Sequence, residues 1–182
     1  MTTLLGGTFN PPHNGHVALV HAAEQEFGDE VVVLVAARPG HKRVQLDADT
    51  RLALARAAFP EEEVELDPYE RTVDLLSAGR WSDPLFVIGA DEFCDFLTWK
   101  EPEEVLRRVR LAVATRPGFP QERLDPVLAQ LSHPERVSFF EIEPTPVASR
   151  YLRSRLEDGE DVSAEIPAAV AEIIRRDGLY ET

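Results

Sequence analysis

The 182-residue chain predicts an α/β fold built on a parallel sheet, and three features carry that prediction. Short runs dense in Val, Leu and Ile alternate with stretches of helical periodicity, the pattern of strands joined by helical crossovers. Several of those runs are apolar throughout, lacking the alternation of a half-exposed strand, as expected of strands covered on both faces. The alternation stops after the last run, and from Ser149 onward only helical patterns follow.

Buried strands are expected at Thr3 to Leu5, Val31 to Ala37, Leu85 to Ile88 and Leu111 to Ala114. Val137 to Ile142 and Val64 to Leu66 are further candidates, giving a sheet of five or six strands. Between them lie helical patterns at His16 to Phe27, Asp49 to Phe59, Arg71 to Ala78, Pro102 to Arg108 and Gln121 to Leu131, enough to cover both faces. The C-terminal segment offers helices at Arg150 to Glu157 and Pro167 to Arg176. Pro167 suits the first turn of the second, Arg175 and Arg176 its last turn, and Gly178 the position just beyond. With no repeat, low-complexity tract or splitting linker, one domain over 1–182 is expected, its helical part at about 149–182.

Composition narrows the function. The longest apolar run, Val31 to Ala37, is too short to cross a bilayer, and the N-terminus lacks a signal-peptide pattern, so a cytoplasmic protein without membrane contact is expected. Cys94 is the only cysteine, which excludes an internal disulfide and any cysteine zinc cluster. Lys and Arg number 19 against 33 Asp and Glu, a net charge of −14, the wrong sign for coating nucleic acid. Such a protein binds a small anion only by concentrating positive potential locally.

In open parallel sheets ligands bind beyond the carboxyl ends of the strands. Gly6 to His16, Arg38 to Arg43, Gly89 to Asp91, Arg116 to Gly118 and Ser149 to Arg153 occupy such positions. The first, "GGTFNPPHNGH", is the most informative. Gly6 and Gly7 allow close backbone approach to a ligand, Pro11 and Pro12 delay the helix until about Asn14, and His13 and His16 then share its N-terminal end. Neither the dinucleotide fingerprint nor the Walker loop is present, and no HExxH glutamate supports a zinc site. Capping and packing account for two histidines here; so does a phosphate site in which imidazoles and the helix N-terminus receive charged oxygens.

The same stretch resembles the signature of the nucleotidylyltransferase superfamily, whose HxGH is His13-Asn14-Gly15-His16 here. "RPGHK" at Arg38 to Lys42, "TVD" at Thr72 to Asp74, "IGAD" at Ile88 to Asp91, "TW" at Thr98-Trp99, "RPG" at Arg116 to Gly118 and the ending "IPAAVAEIIRRDGLY" are similar to bacterial nicotinate mononucleotide adenylyltransferases. The resemblance implies a Rossmann-like nucleotidyltransferase fold and transfer of the adenylyl group of ATP to nicotinic acid mononucleotide, giving deamido-NAD and pyrophosphate.

It further implies that His13 and His16 are catalytic and touch the ATP phosphates. Gly6, Gly7, Thr8, Phe9, Gly89, Asp91, Arg116, Ser149 and Arg153 are then expected to meet ATP, and Lys42, Thr72 and Trp99 the acceptor nucleotide. Mg²⁺ is implied as a partner of the polyphosphate, carried mainly on substrate oxygens and water, with no dedicated metal site in the protein. Plainer readings stand beside these: Lys42 as a surface lysine, Trp99 as core, Asp91 as a helix cap.

Chemically, a phosphate monoester is already largely a dianion at neutral pH, so the nucleophile needs no general base. The family usually reads close to "ISSTxIR" where this chain has "VASRYLR", Val147 to Arg153: Ser149 and Arg153 match, whereas Ala148 and Arg150 do not. Ser149 is read as a helix cap offering its hydroxyl to phosphate, Arg153 as an anion clamp on the same face. Two other functions stay open on sequence: an adenylyltransferase for nicotinamide mononucleotide or phosphopantetheine, and a non-catalytic nucleotide sensor. The composition of Arg38 to Leu46 permits a lid.

Overall fold

A computed structural model describes residues 2–28, 30–40 and 44–181. Its elements run β1 (Thr3–Gly7), α1 (Asn14–Phe27), β2 (Val31–Ala36), α2 (Ala48–Ala58), β3 (Glu63–Asp67), α3 (Thr72–Ser77), β4 (Leu85–Gly89) and α4 (Ala90–Cys94). There follow α5 (Pro102–Arg108), β5 (Arg110–Thr115), α6 (Gln121–Leu128), β6 (Val137–Glu141), α7 (Ser149–Glu157) and α8 (Ala168–Asp177). The six strands form one sheet in the order β3-β2-β1-β4-β5-β6, every pairing parallel, with Leu5 opposite both Val33 and Val87. All six expected strands are present, in an α/β arrangement.

Strand alternation divides the buried side chains between two layers. Leu5, Val33, Val35 and Val87 pack against α1, α2, α7 and α8 through Val20, Leu54, Leu152 and Ile174. On the other face Leu4, Leu34, Ile88 and Val113 meet α3 to α6 through Leu76, Phe93, Leu106 and Leu124. The helical C-terminal segment therefore returns across the sheet to the α1 side.

The structure corrects several local expectations. The apolar pattern of Gln121 to Leu131 reports burial beyond the helix: α6 ends at Leu128, and tight turns through Gln130 and Leu131 continue the buried face. Helix α4 has five residues, too few for a helical period to show, and a turn of 3₁₀ helix at Phe96–Thr98 follows it. Pro167 sits one position before α8, at its N-cap, and Gly178 closes that helix in the left-handed region at φ 60°. Ser149 is the first residue of α7; Ala148 holds the N-cap position and makes no side-chain cap bond.

Candidate active site

From β1 the chain moves to β2 on one side, while β4 flanks β1 on the other, so the crevice between the carboxyl ends of β1 and β4 is the topological switch point of the sheet. Gly6 at the end of β1 is exposed, and Gly89 at the end of β4 has open space where a Cβ would stand. This floor has room for a ligand.

The loop from Thr8 to His13 rises beside it. Gly7 is glycine for a reason internal to the protein, since a Cβ there would lie 2.7 Å from the ring of Phe9. Phe9 takes a left-handed backbone, φ 48°, with its ring fully buried and edge-on to Phe59 and His16. A bulky residue at positive φ is strained, and that burial offsets the strain.

His13 is the N-cap of α1, and its imidazole stacks on that of His16 with centroids 3.7 Å apart. Gly15 makes this possible, because a Cβ would meet the His13 ring at 3.1 Å and Val147 at 3.2 Å. His16 Nδ1 accepts the His13 backbone N–H at 3.2 Å. Burial pulls the His13 pKa from 6.5 down to about 4, against a smaller upward pull from a backbone hydrogen bond, so the ring is neutral at pH 7. Among the described residues its buried Nδ1 has no hydrogen-bond partner. The tautomer with the proton on Nε2 leaves a lone pair there rather than a stranded N–H.

Three sequence expectations change here. Not all amides at the start of α1 are available to an anion, since Asn14 donates to the Glu165 carbonyl, and His16 and Val17 to that of His13. Ser149 does not cap its helix; its hydroxyl donates to the Pro11 carbonyl at 2.9 Å. Arg153 is not poised as a clamp in open space, for its Nη1 donates to the Asn10 carbonyl at 2.6 Å.

Across the crevice, Asp91 lies in the first turn of α4 and is no cap; it accepts from Arg116 at 3.3 Å and Arg123 at 3.0 Å. Beside it Arg116, Gly118, Phe119, Arg123 and Pro144 line a groove of about 350 Å³. Farther along, Thr72 begins α3, and the Asp74–Lys100 ion pair at 3.2 Å ties its first turn to the segment carrying Trp99. Trp99 is half-buried against Phe96, with ring centroids 5.2 Å apart. Gly40 lies against the Glu70 side chain, which brings the described part of the Arg38 stretch to the same region. Lys42 lies outside the described residues. Among the described residues Arg150 is paired with no acid; it lies over the Tyr151 ring, 4.5 Å from the centroid.

Several residues escaped the sequence reading. Arg51, 1% exposed, gives hydrogen bonds to the carbonyls of Thr8, Ala36, Ala37 and Leu46, and burial lowers its pKa. Its signal was visible: it occupies the same helical stripe as Leu54, Ala55 and Ala58, all buried in α2. Asn10 lay unremarked inside the loop motif, Tyr180 inside the C-terminal one, and nothing in sequence marked Arg123 as a partner of Asp91. Among the described residues, one group of three metal-ligating side chains converges, His21, Glu24 and Glu62 within 4.8 Å. Glu62 precedes β3, at the end of the sheet away from the crevice. No helix among the described residues is long and apolar enough to cross a membrane.

A family model described as cytidylyltransferase-like matches residues 4–155. A Moorella thermoacetica protein named "Probable nicotinate-nucleotide adenylyltransferase" is 33% identical, the match covering 97% of this chain and 90% of that one. Its namesake in Thermus thermophilus is 34% identical over 97% of both chains. In fold, the chain is similar to the Plasmodium falciparum nicotinic acid mononucleotide adenylyltransferase complexed with NaAD, with a TM-score of 0.77, 16% identity, and coverage of 98% of this chain and 96% of that one. The same enzyme complexed with APC gives 0.74 at the same identity and coverage. With its six-stranded parallel sheet and an HxGH corner at the switch point, this chain belongs to the nicotinate-nucleotide adenylyltransferase family of cytidylyltransferase-like proteins.

Proposed function

We propose that this chain transfers the adenylyl group of ATP to nicotinic acid mononucleotide, forming deamido-NAD and pyrophosphate in NAD biosynthesis. The observation that carries the reading is the stacked His13–His16 pair at the start of α1, set beside the open glycine floor at the β1–β4 switch point. The acceptor phosphate oxygen attacks the α-phosphorus of ATP. As that P–O bond forms, the bond to the bridging oxygen breaks, and its electron pair leaves with pyrophosphate. No proton is removed from the dianionic acceptor, in keeping with a site whose buried histidine is a poor base.

The protein's work in this reading is positioning and charge stabilisation. Neutral His13 offers an Nε2–H, and His16 offers its ring beside it. Gly6, Gly7, Thr8 and Phe9 present backbone to ATP, while Gly89, Asp91 and Arg116 bound its nucleoside end. Ser149 and Arg153 act on ATP through the loop carbonyls they hold, or turn to phosphate when it binds. Thr72 and Trp99 receive the nicotinate end, with Lys42 as a cation from the neighbouring loop. Mg²⁺ is read as arriving on the triphosphate, for Asp91 is already committed to two arginines. We read residues 1–182 as one domain, acting in the cytoplasm.

Comparing pyrophosphate release with nicotinic acid and nicotinamide mononucleotides tests the reading. The acid is expected to turn over faster. Preference for the amide, or for phosphopantetheine, reassigns the acceptor, and no release with any of them leaves a nucleotide sensor. In the same assay Arg150→Thr is expected to leave the ATP KM unchanged, because Arg150 is engaged with Tyr151.

A further inference from the structure

The corner after β1 is held in place from the far end of the chain. Tyr180 is 6% exposed, and its hydroxyl donates at 2.7 Å to Oδ1 of Asn10, itself 1% exposed. The partners are 170 positions apart in sequence. Arg153 holds the Asn10 carbonyl and Ser149 that of Pro11, while Ala164 and Glu165 hold the side chain and amide of Asn14. Tyr180 stands in the left-handed region at φ 69°, a costly place for an aromatic residue. Its backbone is thus bent out of its preferred range where its hydroxyl reaches the loop.

Asn10 is the sensitive point. Its Nδ2 is buried and has no hydrogen-bond partner, so the Tyr180 hydroxyl is the one side-chain bond its amide makes among the described residues. Losing that bond would leave both polar ends of a buried amide unpaired, a state relieved only by turning Asn10, and the loop with it, toward water. Beyond Asn10 the same backbone leads through Pro11 and Pro12 to His13.

We propose that Tyr180 is a positioning residue for adenylyl transfer, acting through Asn10 to fix the loop that carries His13 and His16. The kinetic part of this inference rests on the activity proposed above. Tyr180→Phe keeps the buried ring and removes only the hydroxyl. It is expected to lower kcat about tenfold, the value of one hydrogen bond, with KM for the acceptor mononucleotide unchanged. Ile174→Val, a change in the same C-terminal core, is the control for stability and should keep the wild-type kcat. Adding Tyr180→Phe to Asn10→Ala should cost nothing further. A kcat for Tyr180→Phe within twofold of wild type overturns the inference, and so does an equal fall in Ile174→Val. Hydrogen exchange in the ligand-free protein separates this outcome from failure of the proposed activity. Should the wild type release no pyrophosphate, faster exchange confined to Thr8–Asn10 and Asn14–Val17 in Tyr180→Phe still supports the positioning role. Exchange that is unchanged, or raised throughout α8, ends it.

Discussion

At the corner after β1, the side chains of Arg51, Ser149, Arg153 and Tyr180 each donate to an oxygen of the loop from within the protein. At the rim after β4 and β5, Asp91 is held by Arg116 and Arg123 in open solvent, its side chain 63% exposed. Glycines tell the same story, for a Cβ at Gly7 would strike Phe9, whereas one at Gly89 or Gly118 would meet nothing within 4 Å. Bonds shielded from water, part-buried for Arg51, Ser149 and Arg153 and buried for Tyr180, are not exchanged for water without loss, while an exposed ion pair can be traded for a ligand contact at small cost. On the proposed reading the two regions would divide the tasks: the corner would be preorganised for charge developing in the reaction, and the rim would adapt to the nucleoside bound there.

The largest expected effect tests the corner's chemistry. His16→Ala removes a ring that stacks on His13 and meets Phe9, and should raise the barrier by about 2–4 kcal/mol, roughly a 30- to 10³-fold fall in kcat. Asp91→Asn at the rim should alter KM for ATP far more than kcat. Steady-state kinetics on both variants checks the contrast, and a kcat loss at Asp91 equal to that at His16 would erase it.

Acid should loosen the corner selectively. The His13 pKa falls from 6.5 to about 4 on folding, so between these values the unfolded chain binds the extra proton and the folded one does not. The contribution is complete above pH 6.5, fades as pH falls to about 4, and amounts to about 3 kcal/mol over that interval. Urea unfolding from pH 7.5 to 4 should show this slope in wild type and lack it in His13→Asn. Parallel curves would mean that His13 titrates normally in the folded protein.

A glycine pair sharpens the packing side. Gly7→Ala displaces the Phe9 ring and is expected to cost about 2 kcal/mol, the order of an overpacked core. Gly89→Ala should stay within about 0.5 kcal/mol, as for open surface positions. Thermal unfolding decides, and equal shifts would show that Phe9 yields freely. The smallest effect is on stability at the rim, where Asp91→Asn should cost less than about 1 kcal/mol and diminish further in salt.

Sheet and corner were legible in sequence for different reasons. Val31 to Val35 and Leu85 to Ile88 are nearly all apolar because both faces of those strands are covered, and such runs need no knowledge of neighbours. The HxGH motif was legible because Gly15 and the two histidines interact over three residues. What supports them was not, since Tyr180, Arg153 and Ser149 bond to the loop across 138 to 170 positions and leave no local period. Ser149 and Arg153 were read as ligand groups from the chemistry of their side chains, which suits a backbone carbonyl equally well. Arg51 is the intermediate case, betrayed by its place on an apolar stripe but not by its partners.

The separation between the loop and its supports bears on how the protein emerges from the ribosome. When β6 has been delivered, every strand of the sheet exists, yet nothing that braces Asn10 from residues 149–181 has been made. A chain of that length can pair its strands while Asn10 still lacks its partners from residues 149–181, so the histidine corner is completed only after the sheet on which it stands.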